Sequence, residues 1–368
     1  MTKPSSTEAP DDDPHPVVRP ALAVVGATGA VGSVLLQILS QRADVWGDIR
    51  LIASARSAGR MLAVRAEECE VLALTEDAFD GLGPGDVALF LTPADVSARW
   101  APVVTARGAV VVDQSAAFRD DPEVPLVVPE VNGHAVRIRP RGIVAGPDCV
   151  TAAMIAALGA LHAEYSLCDL VVSSYQAASA AGRSGSEALR RQLSLVAGTS
   201  LGEQTGDVRR AVGEDTGPFA APLALNVVPW SGELREDGWS SHELAVRGET
   251  RRILQLERLP VSVTCVQVPV LTGHSLSVRA RFEREVEAPH AREILEAAPG
   301  VVLVDDPAVG EFPTPADAAG TDPAWVGRVR ASLDDLYALE FFVCADNLRK
   351  GAALNATQIA ELIAGEFA

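Results

Sequence analysis

The chain has 368 residues, 48% of them hydrophobic, and this length and apolar content predict two globular domains that share a cleft. Its formal net charge of −18 argues against nucleic acid and anionic membrane surfaces as partners, so we expect a small-molecule protein with a local basic pocket. Five widely spaced cysteines without a CxxC pair exclude a disulfide framework or a zinc knuckle and indicate reduced thiols in the cytoplasm.

The N-terminal third of the chain predicts a tail followed by a parallel sheet. Residues 1–17 are polar, acidic and proline-rich, which is typical of a disordered tail. No later stretch reaches 18 uncharged apolar residues, so no membrane span is expected. From 18 to 147, short β-like runs alternate with helical runs, as in a parallel sheet covered on both faces. The predicted strands are ALAVVG, IRLIAS, CEVLAL, VALFL, AVVVD, PLVVPEV and GIVAG.

Residues 148–347 predict a second domain of α+β type with a mixed or antiparallel sheet, because long strands are joined by helices there. Helices are expected near 183–198, 241–255 and 288–298, and a loop or mobile insertion near 198–222. A last helix, within 348–368, is expected to pack back on the first domain. The predicted strands are LVVSSYQ, LALNVVP, VSVTCVQVPVLTGHSLSVRARFE and LYALEFFVCAD.

A glycine-rich turn follows the first predicted strand and opens a helix. The glycines are Gly26, Gly29 and Gly32, and this context is the one that a dinucleotide-binding turn requires. Glycines let the backbone approach a pyrophosphate, whose charge is met by free N–H groups at the helix end. Simple packing of a strand against a helix is the alternative.

The end of the second predicted strand indicates which nucleotide is bound. NAD enzymes carry an acid there for the ribose 2′-hydroxyl, whereas this chain has Ser54, Arg56 and Ser57. A guanidinium and hydroxyls suit a 2′-phosphate, so NADP is favoured. A solvated loop arginine is the alternative, and it leaves the missing acid unexplained.

The run GPDCVT places Cys149 between a β-like segment and a helical run. A helix N-terminus lowers a thiol pKa and offers N–H groups to an oxyanion, so Cys149 is a candidate nucleophile. Taken alone, Cys149 is more often an inert core residue, and His274 a satisfied strand histidine.

Several blocks in one order resemble the aspartate-semialdehyde dehydrogenase family, from about residue 21 to the C-terminus. The resemblance implies an NADP-binding domain, a catalytic domain, a homodimer or dimer of dimers, and reduction of an acyl phosphate to an aldehyde with release of phosphate. The blocks are GATGAVG, SARSAGR, PLVVPEVN, SSYQAASAAG, LNVVP, ETRRIL, TCVQVPVLTGHS, DAAG and DNLRKGAALN.

The resemblance also assigns roles to individual residues. Cys149 corresponds to the thioester-forming nucleophile, His274 to the acid-base residue and Gln176 to the glutamine beside the thiol. Arg119 and Arg252 correspond to phosphate-binding positions, where Arg252 replaces the usual lysine, and Glu249 to the carboxylate that holds the substrate's amino group. The expected cofactor-binding residues are Gly26, Thr28, Gly29, Ala30, Val31, Gly32, Ser54, Arg56, Ser57 and, near the nicotinamide, Asn347.

The departures from the family pattern cluster at the expected substrate site. Both family asparagines around the cysteine are replaced, by Gly146 and Asp148, and a carboxylate at 148 disfavours a thiolate. Gln267 stands where a family arginine clamps the substrate α-carboxylate, and losing such a charge pair commonly costs roughly 2–5 kcal/mol. The family's small loop near the nicotinamide is replaced by residues 91–97, LTPADVS.

These departures favour a diverged paralogue, an NADP-dependent acyl-phosphate reductase whose substrate lacks a carboxylate at the usual place. Ordinary aspartate-semialdehyde dehydrogenase activity is the closest alternative, with another arginine such as Arg183 replacing the lost one. An acyl-CoA reductase and a non-catalytic NADP-binding paralogue, silenced by Asp148, are further alternatives. His242 and Glu243 resemble a helix start and lack the HExxH spacing, so no metal site is predicted.

Overall fold

A computed structural model describes residues 19–42 and 45–366. The tail predicted for residues 1–17 lies outside these ranges. Two sheets organise the described chain, one of seven strands and one of six. This agrees with the predicted pair of domains, one α/β and one with a mixed sheet.

The seven-stranded sheet is built from short apolar strands. Six strands run parallel in the order β4-β2-β1-β5-β6-β7, and β3 joins one edge antiparallel to β4. Strands β1, β5 and β6 are buried along their whole length, as expected for a sheet covered on both faces. The strands are β1 (Leu22–Val25), β2 (Ile49–Ala53), β3 (Met61–Val64), β4 (Glu67–Ala73), β5 (Val87–Phe90), β6 (Val110–Asp113) and β7 (Ile143–Ala145); the helices are α1 (Ala30–Gln41), α2 (Ala94–Thr105) and α3 (Pro129–Asn132).

The order of these strands creates a cleft. Strand β1 lies between β2 and β5, so the chain leaves it first toward one side and later returns to the other. Ligands of open parallel sheets bind at this reversal, outside the carboxyl ends of the strands. The glycine turn between β1 and α1 lies at that position.

The six-stranded sheet has the order β11-β12-β13-β10-β8-β9. Its β8–β9 and β11–β12 pairs are parallel, whereas β8–β10, β10–β13 and β12–β13 are antiparallel. The strands are β8 (Leu167–Gln176), β9 (Val261–Gln267), β10 (His274–Phe282), β11 (Val301–Leu303), β12 (Ala324–Ala331) and β13 (Ala338–Ala345); the helices are α4 (Cys149–Tyr165), α5 (Gly182–Val196), α6 (Asp207–Val212), α7 (Ser241–Ile253), α8 (Ala288–Ala297) and α9 (Pro315–Ala318).

The chain ends on the first sheet. A one-turn π-helix, Arg349–Ala353, leads into α10 (Leu354–Ala364), whose Ile359 and Ile363 are buried in the same apolar cluster as Leu22 and Val24 of β1. Within the described residues, no helix combines the length and apolar character needed to cross a membrane.

Four predicted elements differ from the structure. The long run from Val261 to Phe282 is two strands, β9 parallel and β10 antiparallel to β8, because residues 268–273 reverse the chain. The run LALNVVP forms only a bridge between Val228 and Gln267, and PLVVPEV only a bridge between Leu126 and Ala145 before Pro129 starts a helix. The predicted loop at 198–222 contains α6.

Candidate active site

The turn between β1 and α1 has a backbone that requires glycine at two positions. Gly26 has a φ of +92°, and a Cβ there would lie 2.4 Å from the carbonyl oxygen of Leu91. A Cβ on Gly32 would lie 2.4 Å from the carbonyl oxygen of Gly26. Helix α1 has no side-chain cap and no acidic residue in its first turn. Its free N–H groups and positive end therefore fit a pyrophosphate.

The segment after β2 fits a 2′-phosphate. Arg56 is exposed and forms no ion pair within the described residues, whereas Ser57 is buried. The Thr28 hydroxyl of the glycine turn lies 3.3 Å from the Ser57 hydroxyl, which joins this segment to the turn. A cation and hydroxyls at this end, without a carboxylate, suit NADP better than NAD.

A cavity of about 560 Å³ extends from the glycine turn to the second domain. Gly29, Ala30 and Val31 line one end, and Cys149 and Arg119 line the other. Asn347 lines it as well; its Oδ1 accepts the N–H of Gly273 at 2.9 Å and is 3.1 Å from the Ser179 hydroxyl. The predicted nucleotide turn and the predicted nucleophile thus share one cavity.

Cys149 is the first residue of α4, and its Sγ lies 3.1 Å from Nε2 of His274 at the start of β10. The N–H of Ala177 donates to Nδ1 of His274 at 3.1 Å, so the neutral ring carries its hydrogen on Nε2, toward the sulfur. Burial lowers the pKa of His274 to about 4, which keeps the ring neutral near pH 7. In this arrangement His274 is a hydrogen-bond donor to the sulfur.

Asp148 caps α4 and changes the environment of the thiol. Its carboxylate accepts the N–H of Val150 at 2.9 Å. The sequence predicted that the N–H groups at this helix end would be free to bind an oxyanion, and this one is not. Burial, and then the charge of Asp148, raise the pKa of the Cys149 thiol well above its usual value. Without a bound substrate the sulfur is therefore protonated near pH 7.

Arg119 is the cation of this cavity. Its Nε donates to the carbonyl oxygen of Gly146 at 2.9 Å and its Nη2 to that of Gln114 at 2.7 Å. Its Nη1 lies 3.3 Å from Glu249 and 3.6 Å from Asp148. Burial lowers the pKa of Arg119, but the two carboxylates more than offset this and raise it overall. One buried guanidinium is thus shared by two carboxylates.

Glu249 is the carboxyl group that responds to this shortage of positive charge. Its Oε2 accepts the N–H of Asp148 at 2.8 Å. Burial raises the pKa of Glu249 to about 7, against the opposing effect of Arg119, whereas the pKa of Asp148 is lowered because His242 and Arg119 outweigh its own burial. Near pH 7 Glu249 is therefore the carboxyl group that holds a proton part of the time.

Three residues predicted to contact substrate lie outside the cavity lining: Glu249, described above, Arg252 and Gln267. Arg252 donates to the carbonyl oxygens of Arg119, Asp121 and Val124 at 2.5 to 2.8 Å, so it holds the loop that carries Arg119. Gln267 ends β9, half-buried, and its backbone pairs with Val228. A direct phosphate contact by Arg252 stays a prediction, and the observed contacts give it a positioning role.

Gln176 is fully buried at the end of β8. Its Oε1 accepts the Ser231 hydroxyl at 2.8 Å, and its Nε2 lies 3.3 Å from the Ser174 hydroxyl. Arg183, considered above as a replacement for the missing arginine, donates to the Ser33 hydroxyl at 3.1 Å in the first turn of α1. Arg183 therefore lies at the nucleotide end of the cleft.

Two cavity residues were missed by sequence reasoning. His242, interpreted above only as part of a helix start, lines the cavity beside Asp148. Gln114 also lines it, and its amide group has no hydrogen-bond partner within the described residues. A Cβ on Gly146 would lie 2.3 Å from this amide, so the glycine in GPDC makes room for Gln114. The sequence alone does not reveal this contact.

A nucleotide-binding domain joined to a second domain that brings a cysteine and a histidine into the same cavity defines a dinucleotide-dependent oxidoreductase. Two family models match the chain, "Semialdehyde dehydrogenase, NAD binding domain" over residues 21–138 and "Semialdehyde dehydrogenase, dimerisation domain" over residues 158–350. The chain belongs to the semialdehyde dehydrogenase family, and it is an NADP-dependent oxidoreductase that acts on an aldehyde.

Similar proteins cover nearly the whole chain. The aspartate-semialdehyde dehydrogenase of Corynebacterium glutamicum is 45% identical over 346 residues, which are 93% of this chain and 98% of the relative. That of Streptomyces akiyoshiensis is 45% identical over 347 residues, 94% of this chain and 98% of the relative. The structure of aspartate semialdehyde dehydrogenase II from Vibrio cholerae, complexed with ASA, has a TM-score of 0.86 at 33% identity and covers 94% of this chain and 98% of its own.

Proposed function

We propose that the protein interconverts a semialdehyde and its acyl phosphate through a thioester on Cys149, with NADP as cofactor. The observation that carries this proposal is the cavity that joins the glycine turn to a sulfur 3.1 Å from His274, beside a buried arginine. In this proposal residues 18–147 bind the nucleotide, residues 148–347 carry the chemistry, and α10 completes the first domain.

The first half of the reaction uses Cys149 and Arg119. The thiol attacks the acyl carbon, a C–S bond forms, and the C–O bond to phosphate breaks. Since the pKa of Cys149 is raised, the thiol proton leaves with the phosphate, so charge and atoms balance without a separate base. Arg119 is the cation that holds the phosphate at the cavity wall, and Arg252 positions Arg119 through its carbonyl oxygen.

The second half uses His274. When held at the glycine turn, NADPH would supply the hydride that reduces the thioester. The Nε2–H of His274 donates to the oxyanion that results; collapse to the aldehyde returns a thiolate that accepts the same N–H, and a proton from water then restores the resting thiol. This sequence needs a fixed donor at 274, which a neutral ring with its hydrogen on Nε2 supplies. Asn347 lines the cavity that holds these atoms, whereas a contact of Gln176 with the thiol stays a prediction.

Aspartate semialdehyde is the substrate that we propose to test first. The relatives that match nearly the whole chain carry its name. An amino-group contact by Glu249 stays a prediction, because its carboxyl group is buried against Arg119 and the N–H of Asp148. A second candidate, a semialdehyde without the α-carboxylate, is favoured by the uncharged side chain of Gln267 at the end of β9.

The test is the phosphate-dependent reduction of NADP by purified protein with aspartate semialdehyde and with aldehydes that lack the α-carboxylate. Turnover of aspartate semialdehyde alone would reject the changed substrate, and turnover of only the others would support it. With Gln267→Arg, kcat/KM for aspartate semialdehyde is expected to rise about 30-fold or more if the missing charge limits binding. His274→Asn is the companion variant and should lower kcat about 100-fold or more.

Two rival functions give different results in the same assay. An acyl-CoA reductase would depend on coenzyme A and be indifferent to phosphate. A non-catalytic NADP-binding paralogue would bind NADP without turnover of any aldehyde.

We propose a homodimer in the cytoplasm as the working form. The second sheet leaves one face uncovered, with Val171 41% and Tyr175 36% exposed on β8, and the matched family model describes this region as a dimerisation domain. The five cysteines are free thiols, which suits a reducing compartment. Native mass spectrometry distinguishes a dimer from a dimer of dimers.

A further inference from the structure

One titratable side chain that lines the cavity, His242, has no role in the proposed chemistry. His242 is the second residue of α7, is half-buried, and lines the cavity together with Asp148, Cys149 and Arg119. Although it lies in the first turn of α7, its ring forms no hydrogen bond to that helix within the described residues. The capping box of α7 is made by Ser240 and Glu243 instead.

The hydrogen-bond partners around His242 show which of its two ring nitrogens is already hydrogen-bonded. The Ser231 hydroxyl lies 2.8 Å from Oε1 of Gln176, which only accepts, and 3.1 Å from Nδ1 of His242. A hydroxyl has one hydrogen, so Ser231 donates to Gln176 and accepts from Nδ1–H of His242. Within the described part of the chain, Nε2 of His242 forms no hydrogen bond. It is the nitrogen left for a ligand.

Charged and titratable side chains lie around His242. Asp148, Cys149 and Arg119 line the cavity together with His242, and His274 and Glu249 lie behind them, in contact with Cys149 and Arg119 respectively. When Glu249 is ionised as well as Asp148, Arg119 leaves one negative charge unbalanced. Asp148 and His242 interact electrostatically, so an imidazolium at 242 neutralises this charge.

His242 also lies near the position of the missing arginine. Gln176 and Gln267 are directly paired in the β8–β9 ladder, so their side chains project from the same face of the sheet. Ser231 connects Gln176 to His242, and α7 packs on β9. This part of the wall has two neutral amides and one side chain that can carry a positive charge.

We propose that His242 is a specificity-determining residue whose imidazolium binds a carboxylate of the semialdehyde substrate, in place of the charge that Gln267 lacks. The proposal rests on the proposed function, since it assigns a substrate group to the same cavity. It predicts that substrate affinity depends on the protonation of one histidine. An arginine at 267 would remove that dependence.

Two alkylating probes of nearly equal size test this on the free enzyme. Iodoacetate carries a carboxylate and iodoacetamide does not, and the ratio of their rates at Cys149 cancels changes in the reactivity of the sulfur itself. Because histidine is charged at the lower end of the range from pH 5 to about 8, the ratio should be higher at pH 6 than at pH 8.5. His242→Gln should lower the ratio at pH 6 about tenfold and flatten its pH dependence.

Matched variants isolate the charge. His242→Lys should keep the preference for iodoacetate at pH 8.5, whereas Ser231→Ala, which removes the link to Gln176 and keeps the ring, should retain the ratio at pH 6. In the Gln267→Arg background His242→Gln should change the ratio less than about twofold. An unchanged ratio in His242→Gln overturns the proposal, as does a preference that added inorganic phosphate abolishes, since the bound anion would then be a phosphate.

Steady-state kinetics separate this inference from the proposed function. His242→Gln should raise KM for aspartate semialdehyde about tenfold with little change in kcat. A fall in kcat with KM unchanged would leave His242 a merely structural support for Gln176 and overturn the inference. If no semialdehyde supports phosphate-dependent NADP reduction, the proposed function fails even where the alkylation ratio responds to His242.

Discussion

The two ends of the cleft are built on different principles. At the nucleotide end the backbone forms the site, through Gly26, Gly32 and the uncapped start of α1. At the acyl end the site is formed by side chains from separate elements, with two carboxylates, one guanidinium and two histidines around a thiol.

This difference explains why the two ends can change independently. A backbone site depends on a few glycines, so it remains when other residues change. A site of side chains depends on charge balance, so one altered residue shifts the pKa of its neighbours. Asp148 raises the pKa of Cys149 and shares Arg119 with Glu249. We expect changes at the acyl end to leave nucleotide binding intact.

Cys149→Ser is the strongest test of this independence. It should lower turnover at least about 1,000-fold, because the hydroxyl is a far weaker nucleophile at this position. Binding of NADP, measured by calorimetry, should stay within about twofold of the wild type. Cys69→Ser, on β4 away from the cavity, is the control and should retain activity. Loss of NADP binding in Cys149→Ser would contradict the independence of the two ends.

Arg56→Gln tests whether a change at the nucleotide end leaves the acyl end unaffected. If the guanidinium pairs with a 2′-phosphate, the Kd for NADP should rise about 10- to 100-fold while that for NAD changes little. Alkylation of Cys149 in the absence of nucleotide should be unaffected. Arg99→Gln on α2, where the guanidinium lies over the Trp100 ring, is the control for a lost surface charge. Equal losses for both nucleotides would remove the assignment of Arg56.

The difference between a site made of backbone and a site made of side chains also determines how much the sequence could predict. Parallel strands and long helices were correct, because their apolar periods are local; the helix expected at 241–255 is Ser241–Ile253. The run from Val261 to Phe282 was wrong as one strand, since its apolar character does not reveal the reversal at 268–273. LALNVVP was also wrong, because β-propensity without a ladder partner does not make a strand.

At the site, the sequence located Cys149, His274 and Arg119, which the structure brings into contact or into one cavity wall. Their roles stay predictions. It could not locate His242 or the destination of Arg183, because both depend on how the second domain packs across the cleft. The signals available were weak: a histidine at a helix start and an arginine in a glycine-rich loop.

Asp148→Asn sharpens the comparison at the acyl end. Removing the carboxylate should lower the pKa of Cys149, since Asp148 is the second cause, after burial, of its rise. A fall of one pKa unit would raise the rate of iodoacetamide alkylation at pH 7.5 about tenfold. Asparagine can still cap α4, so the fold is kept. Asp207→Asn makes the same chemical change near α6 and should leave the rate unchanged. An unchanged rate in Asp148→Asn would leave burial as the sole cause.

The smallest predicted effect is on the free energy of unfolding, and it again distinguishes the acyl end from the nucleotide end. Burial raises the pKa of Glu249 to about 7 in the folded protein, while an unfolded glutamate titrates near pH 4.3. Between these values the folded state binds more protons than the unfolded state, so the free energy of unfolding falls as pH rises from about 5 to 7. The slope should approach about 1 kcal/mol per pH unit.

Glu249→Gln cannot lose a proton and should remove most of that slope, as measured by urea unfolding at pH 5, 6, 7 and 8. Glu296→Gln, at an exposed position on α8, is the matched control and should keep it. The Arg56→Gln protein should keep the slope too, because no carboxyl group at the nucleotide end pairs with Arg56 in the described chain. A slope that survives in Glu249→Gln would mean that another buried acid, such as Asp113, whose pKa burial also raises, is responsible. The charge imbalance around Arg119 would then not set the pH dependence of folding.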